Sequence, residues 1–544
     1  MKIRSYAKIN LTLDIRGRRD DGYHELETVF QQVSLHDDVV ITPRPDGEIA
    51  VSAGRADLDG GKNICHRAAA LMKERFGIRD GVSITITKRI PVGAGLSGGS
   101  SNAAAVLKGM NHMFRLELGQ GELAEIGAEL GMDVAFHVIG GTCAGRGRGE
   151  ILEPLPPLPK MHVVIVYPGF SISTAGAYGS LAYEKTGRQN ATARFIDGYD
   201  PRFLHNDFEY SIIDRYPEIA RVKSLLGEHA LLSGSGSCVF GLYRRREEAE
   251  FHYRRAAREY AGAFLVGTVN KRISYAKKMG FCSGVRRAID GIMDVADEEG
   301  VHVLGSLVHN GDVIRRLAEG GVKFVDDQAA VNRGTIVISA HGAPEAVIGR
   351  IRERGLRLRD LTCPMVSKLQ RLTLQKEREG KKVVLLGDRG HPEVVGVAGN
   401  LSDCTVIQGP EDVPAAAGRT DIYLASQTTA DEETFNAVAK RLAGLGMSVE
   451  VGDSVCPATR DRQESARDLA RRSDLVLIVG GKMSANTRRL HEICSKKVEA
   501  RLIESGDELD PEWFADRESI GITAGASTPG WVIESVEKKL RLLL

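Results

Sequence analysis

The two halves of the chain carry different hydrophobic patterns. In the first half, residues 82–88 read VSITITK, and Val82, Ile84 and Ile86 alternate there with polar residues. This period of two predicts a half-buried β-strand. A glycine-rich stretch follows, and after it an alanine-rich segment over residues 103–110 that is typical of a helix. We therefore predict a strand, a glycine loop and a helix in direct succession.

After residue 300 the pattern changes to short, almost continuous apolar runs that polar residues follow at once. With those polar residues, the runs read TIVISAHG, KKVVLLGDRGHPE, DIYLASQTT, SDLVLIVGGKMSAN and GITAGAS. Buried strands of this kind, with helical stretches between them, are typical of parallel α/β sheets. Ligands of such sheets bind beyond the carboxyl ends of the strands. We therefore expect the chemistry of this half in the polar residues that end each run.

Bulk composition narrows the class of protein. A chain of 544 residues is expected to form several domains. Its net charge of +1 indicates neither nucleic acid nor a membrane surface as a partner. We expect no signal peptide and no transmembrane helix, because no apolar run is long enough. Eight cysteines are few for this length, which favours a reducing, cytoplasmic location over a disulfide framework.

The glycine loop of the first half is a candidate phosphate site. A loop that enters a helix N-terminus offers unpaired N–H donors and the positive end of the helix dipole. The loop lacks the Gly-Lys-Ser/Thr ending of a P-loop, so a different phosphate-binding loop is expected. The residues predicted to bind phosphate here are Gly93, Gly95, Gly98, Gly99, Ser100 and Ser101.

Two charged residues stand in apolar surroundings in the same half. Lys8 lies on a segment that otherwise reads as an apolar strand, and Asp133 lies among apolar residues in LGMDVAFHV. A lysine and an aspartate that meet at an anion loop suit phosphoryl transfer. The carboxylate can accept the proton of an attacking hydroxyl, and the ammonium can stabilise the developing charge.

Six motifs of the first half, taken together, point to one family. They read AKINL, DGYHELET, PVGAGLSGGSSNAA, LGMDVAFHV, HNDFE and LSGSGSCVF. Over about residues 1–270 the chain resembles the 4-diphosphocytidyl-2-C-methyl-D-erythritol kinases, a family of the GHMP kinase superfamily. The resemblance implies a two-domain GHMP kinase fold of mixed α/β and α+β character, with ATP and Mg²⁺ as cofactors. It implies phosphorylation of the substrate's 2-hydroxyl, with Lys8 and Asp133 as the catalytic pair. The residues that it implies for substrate binding are Tyr23, His24 and Tyr178.

Three cysteines of the second half share a local context. Cys282, Cys363 and Cys456 lie in GFCSGV, LTCPMVSK and SVCPATRD, each at the start of a predicted helix. No C-x-x-C pair is present, which argues against a local zinc knuckle. Two interpretations stay open on the residues alone. The three cysteines are packing residues, or they are thiolates that bind an iron–sulfur cluster with one iron free to act as a Lewis acid.

Small polar side chains gather at the predicted strand ends of this half. Histidine, serine, threonine and asparagine are the donors that suit a phosphate or diphosphate. The candidates are His309, His341, His391, Glu393, Thr428, Ser484, Asn486 and Ser527.

The motifs of the second half also point to one family. They read KKMGFCSGVRRA, LVHN, SAHG, TCPMVSK, GHPEVVG, SQTT, CPATRDRQE, KMSANTRRL and TAGAST. From about residue 272 onward the chain resembles the 4-hydroxy-3-methylbut-2-enyl diphosphate reductases. The resemblance implies three α/β subdomains around a [4Fe-4S] cluster held by Cys282, Cys363 and Cys456. It implies reductive removal of the substrate hydroxyl to give isopentenyl and dimethylallyl diphosphate, with a ferredoxin- or flavodoxin-type electron donor.

Residue roles in the reductase half also follow from the resemblance. Glu393 would donate the proton, with help from Thr428. The side chains that it implies around the substrate, mostly at its diphosphate, are His309, His341, His391, Ser484, Asn486 and Ser527.

The join between the two halves has almost no spacer. AFLVGTVN reads as the last strand of the kinase and RISYAKKMGFC as the first strand and cluster turn of the reductase. The predicted domains are therefore residues 1–270 and residues 271–544. The two resemblances together imply a bifunctional enzyme of the non-mevalonate isoprenoid pathway. The alternative is an active kinase whose C-terminal module is not catalytic and only binds metal or senses redox state.

Overall fold

The computed structural model describes residues 1–296, 300–308, 310–416 and 421–544 of the chain. These residues form two compact units. The first consists of Met1–Arg272, Asp510–Glu518 and Lys538–Leu544, and the second of Ile273–Leu509 and Ser519–Glu537. The main change of unit therefore falls within a few residues of the predicted join. Because the first unit also includes two short segments from the end of the chain, the domain bounds 1–270 and 271–544 stay a prediction.

The first unit contains eleven strands in two sheets. They are β1 Lys2–Arg18, β2 His24–Arg44, β3 Ile49–Ser52, β4 Gly81–Thr87, β5 Thr142–Arg146, β6 Ile151–Pro154, β7 His162–Tyr167, β8 His205–Asn206, β9 Ala230–Leu232, β10 Val239–Tyr243 and β11 Gly262–Gly267. The larger sheet has the order β3-β4-β2-β1-β8, with β5 paired to β2 and β6 paired to β5. The smaller sheet has the order β11-β7-β10-β9 and is antiparallel.

Nine α-helices belong to the described part of this unit. They are α1 Ile64–Phe76, α2 Gly98–Met113, α3 Gln120–Leu130, α4 Met132–Ile139, α5 Thr174–Gly179, α6 Ala191–Gly198, α7 Glu209–Arg215, α8 Pro217–Leu226 and α9 Arg246–Ala257. Residues Ala103 to Met110 of α2 are buried and pack in one core with β2, β4 and α1. Helices and mostly antiparallel sheets together confirm the predicted mixed class.

The predicted strand, glycine loop and helix all occur, but the helix begins earlier than the sequence suggests. Strand β4 matches residues 82–88 closely. Helix α2 already starts at Gly98, after Ser97, which has φ 58° and makes no side-chain cap. Ser100 and Ser101, which precede the predicted helix segment 103–110, therefore lie inside its first turn. The left-handed turn at Ser97 starts the helix here, in place of a side-chain cap.

The second unit is built from three sheets of four strands each. Their strands are β12 Arg272–Tyr275, β13 Val301–Leu304, β14 Lys323–Val325, β15 Thr335–Ile338, β16 Arg357–Asp360, β17 Lys382–Leu386, β18 Cys404–Ile407, β19 Asp421–Ser426, β20 Ser448–Val451, β21 Leu475–Val479, β22 Glu499–Ile503 and β23 Ser519–Ala524. The sheet orders are β12-β23-β21-β22, β14-β13-β15-β16 and β18-β17-β19-β20. The last two sheets are parallel throughout, as are the β23-β21-β22 pairs of the first. All five apolar runs found in the sequence are strands, which confirms the predicted α/β class.

Helices connect the strands of this unit. They are α10 Ser283–Met293, α11 Gly311–Glu319, α12 Glu345–Glu353, α13 Pro364–Arg378, α14 Pro392–Ala398, α15 Glu432–Gly444, α16 Pro457–Arg471, α17 Ala485–Ser495 and α18 Gly530–Leu543. The N-terminus of each crossover helix in a parallel sheet lies at the carboxyl end of the strand before it. Among the described residues, no helix of either unit is both long and apolar enough to span a membrane.

Candidate active sites

The first unit contains a cavity of about 860 Å³. Its walls come from β1, β2, the glycine loop, the N-termini of α2 and α4, and the turn between β9 and β10. The predicted site residues that line it are Lys8, Tyr23, His24, Gly93, Gly95, Gly98, Gly99, Ser100, Asp133 and Tyr178. The fold therefore brings together residues that lie up to 170 positions apart in the sequence (8 to 178).

Lys8 and Asp133 meet across this cavity. The Lys8 Nζ lies 3.9 Å from an Asp133 carboxylate oxygen. The Asp133 side chain is 35% exposed, at the first turn of α4, whereas Lys8 is almost fully buried on β1. Burial lowers the pKa of Lys8, and the Asp133 charge acts in the opposite direction. The pair combines a held cation with a carboxylate that faces the open space.

Two neutral side chains hold the Lys8 ammonium in place. Lys8 Nζ donates to Asn10 Oδ1 over 2.6 Å, and Asn10 Nδ2 donates to Thr28 Oγ1 over 2.8 Å. Asn10 and Thr28 line the cavity but were not among the predicted site residues. The sequence did offer a sign that Asn10 is a site residue, because it is a second polar residue, beside Lys8, on the same apolar strand. Thr28 gave no such signal, because threonine is common in strands.

The glycine loop passes very close to the turn between β9 and β10. Gly95 has φ +78°, and a Cβ added there would lie 2.0 Å from the backbone oxygen of Ser233. Only glycine allows this approach, which places the Gly234–Gly236 turn at the cavity next to the loop. Ser101 differs from the other predicted loop residues. Its hydroxyl donates to the Tyr6 carbonyl, and it is absent from the described lining of the cavity.

An aromatic wall covers one side of the cavity. The His24 ring stacks on Tyr178 with centroids 4.2 Å apart and planes inclined by 13°. His24 Nε2 also lies 2.5 Å from the hydroxyl of Tyr183. Tyr183 was not among the site residues predicted from the sequence. Tyr23 is 54% exposed, and the Arg148 guanidinium lies 4.9 Å from its ring centroid. Such a wall is suited to the flat face of a base.

The second unit contains a smaller cavity of about 110 Å³ at the carboxyl ends of strands from all three sheets. The predicted site residues that line it are Cys282, Cys363, Cys456, His341, His391, Glu393, Thr428, Ser484, Asn486 and Ser527. His309, the remaining candidate, lies outside the described residues. Sequence reasoning expected these side chains at strand ends, and the three sheets bring them to one place.

The three cysteines occupy equivalent positions, each as the N-cap residue of a helix. Cys282 precedes α10, Cys363 precedes α13 and Cys456 precedes α16. Cys282 Sγ accepts from the Val285 N–H over 3.4 Å. Burial raises the pKa of the Cys363 thiol, backbone N–H groups lower it, and the charges of the other two cysteines raise it further. Helix N-termini favour thiolates, so three metal ligands at such positions are chemically reasonable.

The spacing of the three sulfur atoms argues against a single metal ion. Among the described residues, groups with ligand atoms mutually within 4.8 Å do not include these cysteines. In a cubane cluster each thiolate binds a different iron, so wider spacing fits a cluster better than one zinc ion. Gly284 keeps the space between two of the cysteines open. A Cβ at this position would lie 2.7 Å from Cys363 Sγ and 3.9 Å from Cys282 Sγ.

Glu393 is buried and bound at both carboxylate oxygens by one residue. The Thr428 N–H donates to Oε1 over 2.6 Å, and the Thr428 hydroxyl donates to Oε2 over 2.9 Å. Burial raises the pKa of Glu393 to about 7, although both Thr428 hydrogen bonds act to lower it. A carboxyl group with this pKa can hold a proton at neutral pH and release it.

The remaining polar residues form a rim of donors. The His341 and His391 rings meet edge to face with centroids 5.2 Å apart, and Ser527 Oγ lies 3.4 Å from Ser484 Oγ. Asn486 is buried, and neither its amide nitrogen nor its amide oxygen has a partner among the described residues. A buried amide without partners is costly unless a ligand satisfies it. This orphaned amide is the clearest sign that a polar ligand belongs in the cavity.

Arg462 is a lining residue that sequence reasoning missed as a site residue. It lies in the quoted motif CPATRDRQE, is buried on α16 and donates through Nη2 to the Gly280 carbonyl over 2.8 Å. This contact joins the helix that follows Cys456 to the turn that carries Cys282. Arg462 therefore fixes the position of one cysteine relative to another.

Comparisons with known proteins divide the chain in the same place. Residues 63–141 match the GHMP kinases N terminal domain, residues 202–262 the GHMP kinases C terminal domain, and residues 273–541 the LytB protein family. A 4-diphosphocytidyl-2-C-methyl-D-erythritol kinase of Alkaliphilus oremlandii is 39% identical over 281 residues, which are 49% of this chain and 96% of that protein. A similar kinase of Geobacillus kaustophilus is 44% identical over 254 residues, 44% of this chain and 88% of that protein.

The second half matches a different enzyme. A 4-hydroxy-3-methylbut-2-enyl diphosphate reductase of Clostridium perfringens is 36% identical over 287 residues, which are 51% of this chain and 100% of that protein. Each half thus spans nearly the full length of a separate relative.

Proposed function

Because the chain belongs to the 4-diphosphocytidyl-2-C-methyl-D-erythritol kinase family in its first half and to the LytB-type 4-hydroxy-3-methylbut-2-enyl diphosphate reductase family in its second, we propose that it is a bifunctional enzyme of isoprenoid precursor synthesis. The first unit phosphorylates the 2-hydroxyl of 4-diphosphocytidyl-2-C-methyl-D-erythritol with ATP. The second converts 4-hydroxy-3-methylbut-2-enyl diphosphate to isopentenyl and dimethylallyl diphosphate. The observation that carries the proposal is that each unit gathers most of its predicted site residues around its own cavity.

In the kinase reaction, Asp133 accepts the proton of the attacking hydroxyl. Lys8, held by Asn10, stabilises the charge that develops on the transferred phosphoryl group. The glycine loop and the N-terminus of α2 bind the ATP phosphates through backbone N–H groups. Mg²⁺ arrives with the nucleotide, since it binds mainly through phosphate oxygens and water. The wall of Tyr23, His24 and Tyr178 receives the cytosine.

In the reductase, Cys282, Cys363 and Cys456 would hold a [4Fe-4S] cluster. Their positions at three helix N-termini, their spacing and the space beside Gly284 fit that group. When bound, the cluster supplies electrons and a Lewis-acidic iron. Overall, two electrons and two protons replace the C–OH bond by C–H and release water.

The protein's own residues bind the substrate and supply a proton. Glu393 is the proton donor, and Thr428 orients it through both carboxylate oxygens. Five polar side chains of the cavity bind the diphosphate: His341, His391, Ser484, Asn486 and Ser527. Asn486 supports this role, because its amide lacks any other described partner. His309 stays a prediction for the same group.

The electrons come from a ferredoxin- or flavodoxin-type protein, and the enzyme works in the cytoplasm. None of the eight cysteines forms a disulfide with a described residue, which is consistent with a reducing compartment.

The test is to purify the whole chain anaerobically, measure iron and acid-labile sulfide, and assay both reactions on the same sample. We expect about four of each per chain, as a [4Fe-4S] cluster requires, and both activities. Kinase activity with no iron after anaerobic reconstitution would instead favour a C-terminal module that is not catalytic. Zinc in place of iron would contradict the cluster.

A further inference from the structure

The turn that carries Cys282 lies within an unusually basic segment. Residues 271–289 contain six lysines and arginines and no aspartate or glutamate, in a chain whose net charge is only +1. Four of them are exposed and belong to the second unit: Lys277, Lys278, Arg286 and Arg287. We call these four residues the basic patch. Its positive charge is local and is not a property of the whole chain.

The charges of the basic patch are not neutralised within the described part of the protein. The structure shows no ion pair between any of the four side chains and a described residue. Other exposed arginines of this unit do form such pairs, for example Arg501 with Glu499 and Arg352 with Glu345. Near Cys456 the charges are mixed, because Asp453 and Asp461 flank that cysteine. A set of unpaired exposed cations favours an acidic partner.

The basic patch lies beside an exposed aromatic group. Phe281, next to Cys282, meets Trp531 edge to face with ring centroids 6.1 Å apart. Trp531 is 38% exposed, and the exposed Arg316 guanidinium lies 4.4 Å from its ring centroid. Aromatic residues and arginines are enriched where proteins bind one another, with charged residues at the rim. This arrangement is therefore more typical of a protein partner than of a free small anion.

The position of the patch suggests what the partner delivers. The proposed reductase consumes two electrons per turnover, and they must reach the group that the three cysteines hold. Electron transfer slows steeply with distance, so the donor must bind over a surface close to one of those cysteines. Lys278 is only four residues before Cys282, and Arg286 lies in the first turn of the helix that Cys282 caps.

We propose that the basic patch, together with Trp531 and Arg316, is the docking surface for an acidic one-electron carrier protein that delivers electrons at the Cys282 side of the reductase site. This inference rests on the proposed reductase function. The patch steers the carrier by charge, and the aromatic group gives it a fixed apolar contact. None of the four patch residues lines the reductase cavity among its described residues, so changing them leaves substrate binding in place.

The test compares two ways of supplying electrons to the full-length protein with its cluster reconstituted. In one assay the donor is a reduced plant-type [2Fe-2S] ferredoxin of net negative charge, and in the other it is reduced methyl viologen. For the double variant Arg286→Glu/Arg287→Glu we expect the ferredoxin Kd, measured by calorimetry, to rise by about tenfold or more. The ferredoxin KM rises in parallel, whereas the viologen-driven rate stays within about twofold. High salt weakens binding of the unmodified protein but changes the variant little.

A matched control carries the same charge change elsewhere on the second unit. Lys440 and Arg441 are exposed on α15, far along the chain from Cys282, and Lys440→Glu/Arg441→Glu is expected to bind ferredoxin normally. Equal weakening in this control, or an unchanged ferredoxin Kd in Arg286→Glu/Arg287→Glu, would overturn the proposal.

A second patch variant covers the case in which charge reversal disturbs the cluster. Lys277→Gln/Lys278→Gln removes charge without reversing it, and iron and sulfide content show whether the cluster is intact. Weaker ferredoxin binding with full iron content supports the docking surface, and normal binding contradicts it. A changed KM only for the diphosphate substrate, in the viologen assay, would mean that the patch guides substrate and would also overturn the proposal. If the unmodified protein has no viologen-driven activity, the reductase function itself has failed, which is a separate result.

Discussion

Each of the two cavities contains a buried ionisable side chain whose pKa is shifted, and the two shifts run in opposite directions. In the first unit, burial lowers the pKa of Lys8, and a carboxylate 3.9 Å away acts against that shift. In the second, burial raises the pKa of Glu393 to about 7, and two hydrogen bonds from Thr428 act against it. A counter-charge thus opposes the pKa shift of Lys8, whereas neutral donors oppose the pKa shift of Glu393.

The two sites also differ in how the chain builds them. Lys8 and Asp133 lie on one strand and one helix of a single unit, around a cavity of about 860 Å³. The reductase set comes from the strand ends of three separate sheets, around about 110 Å³. The reductase site therefore depends on all three sheets being in place. Because the two sites use different residues, a single substitution should change one activity and leave the other in place.

The largest effect is expected at a cysteine. Cys363→Ser should abolish reductase activity and lower iron and sulfide content, because serine is a poor ligand for iron–sulfur clusters. Kinase activity should stay within about twofold, since the described linings of the two cavities have no residue in common. Iron analysis and both assays on one preparation measure this. Cys404→Ser, at a cysteine outside the reductase cavity's described lining, serves as the control. Full iron content in Cys363→Ser would contradict the ligand assignment.

Next comes the kinase base. Asp133→Asn should lower the kinase kcat by about 10³-fold, because the amide cannot accept the hydroxyl proton. The KM for ATP should change little, since the glycine loop is untouched. Steady-state kinetics on both substrates measure this, and the unchanged iron content and reductase rate are the internal control. A rate within tenfold of the unmodified protein would show that another group accepts the proton.

Glu393→Gln should lower the reductase rate by about 10²-fold with the iron content unchanged. In the unmodified protein burial raises the pKa of Glu393 to about 7. The proton-donating form is therefore present below pH 7 and is lost above it. The viologen-driven reductase rate should therefore fall as pH rises through about 7. The Gln variant should lack this limb. The same limb in both proteins would mean that another group titrates.

Thr428→Val should give a smaller loss, about fivefold, as expected for one hydrogen bond. Because the Thr428 hydroxyl lowers the pKa of Glu393, its removal should move the limb of the pH profile to higher pH. Thr428→Ser keeps the hydroxyl and should restore both the rate and the profile. A shift to lower pH in Thr428→Val would contradict this geometry.

The smallest effect is expected at the aromatic wall of the kinase. Tyr183→Phe removes the hydroxyl that lies 2.5 Å from His24 Nε2, so the KM for the cytidine substrate should rise by about fivefold with kcat unchanged. Tyr199→Phe is the control, because the described ring contact of Tyr199 is with Phe195 and not with His24. An effect on the KM for ATP instead would place the nucleotide against this wall.

Several sequence predictions were confirmed because short-range patterns determine them. The alternation in residues 82–88 is strand β4, and all five apolar runs of the second half are strands. Each of the three cysteines precedes a helix, since proline or small residues follow them at once. The start of α2 was placed too late, because the left-handed turn at Ser97 is not readable from serine as a residue type. The site assignments themselves stay predictions that the variants above test.

The sequence by itself determined the fold class, the order of the elements and the residue types available for chemistry. Periodicity and helix-start residues are local, and local interactions already favour these structures. Only the tertiary structure decided which polar side chains line a cavity or contact one that does, so Asn10, Arg462 and the His24 partner Tyr183 went unnoticed. It also decided the raised pKa of Glu393, because the burial that causes this shift depends on contacts between segments that are distant in the chain. Desolvation, and with it the chemistry of both sites, is a property of the assembled fold.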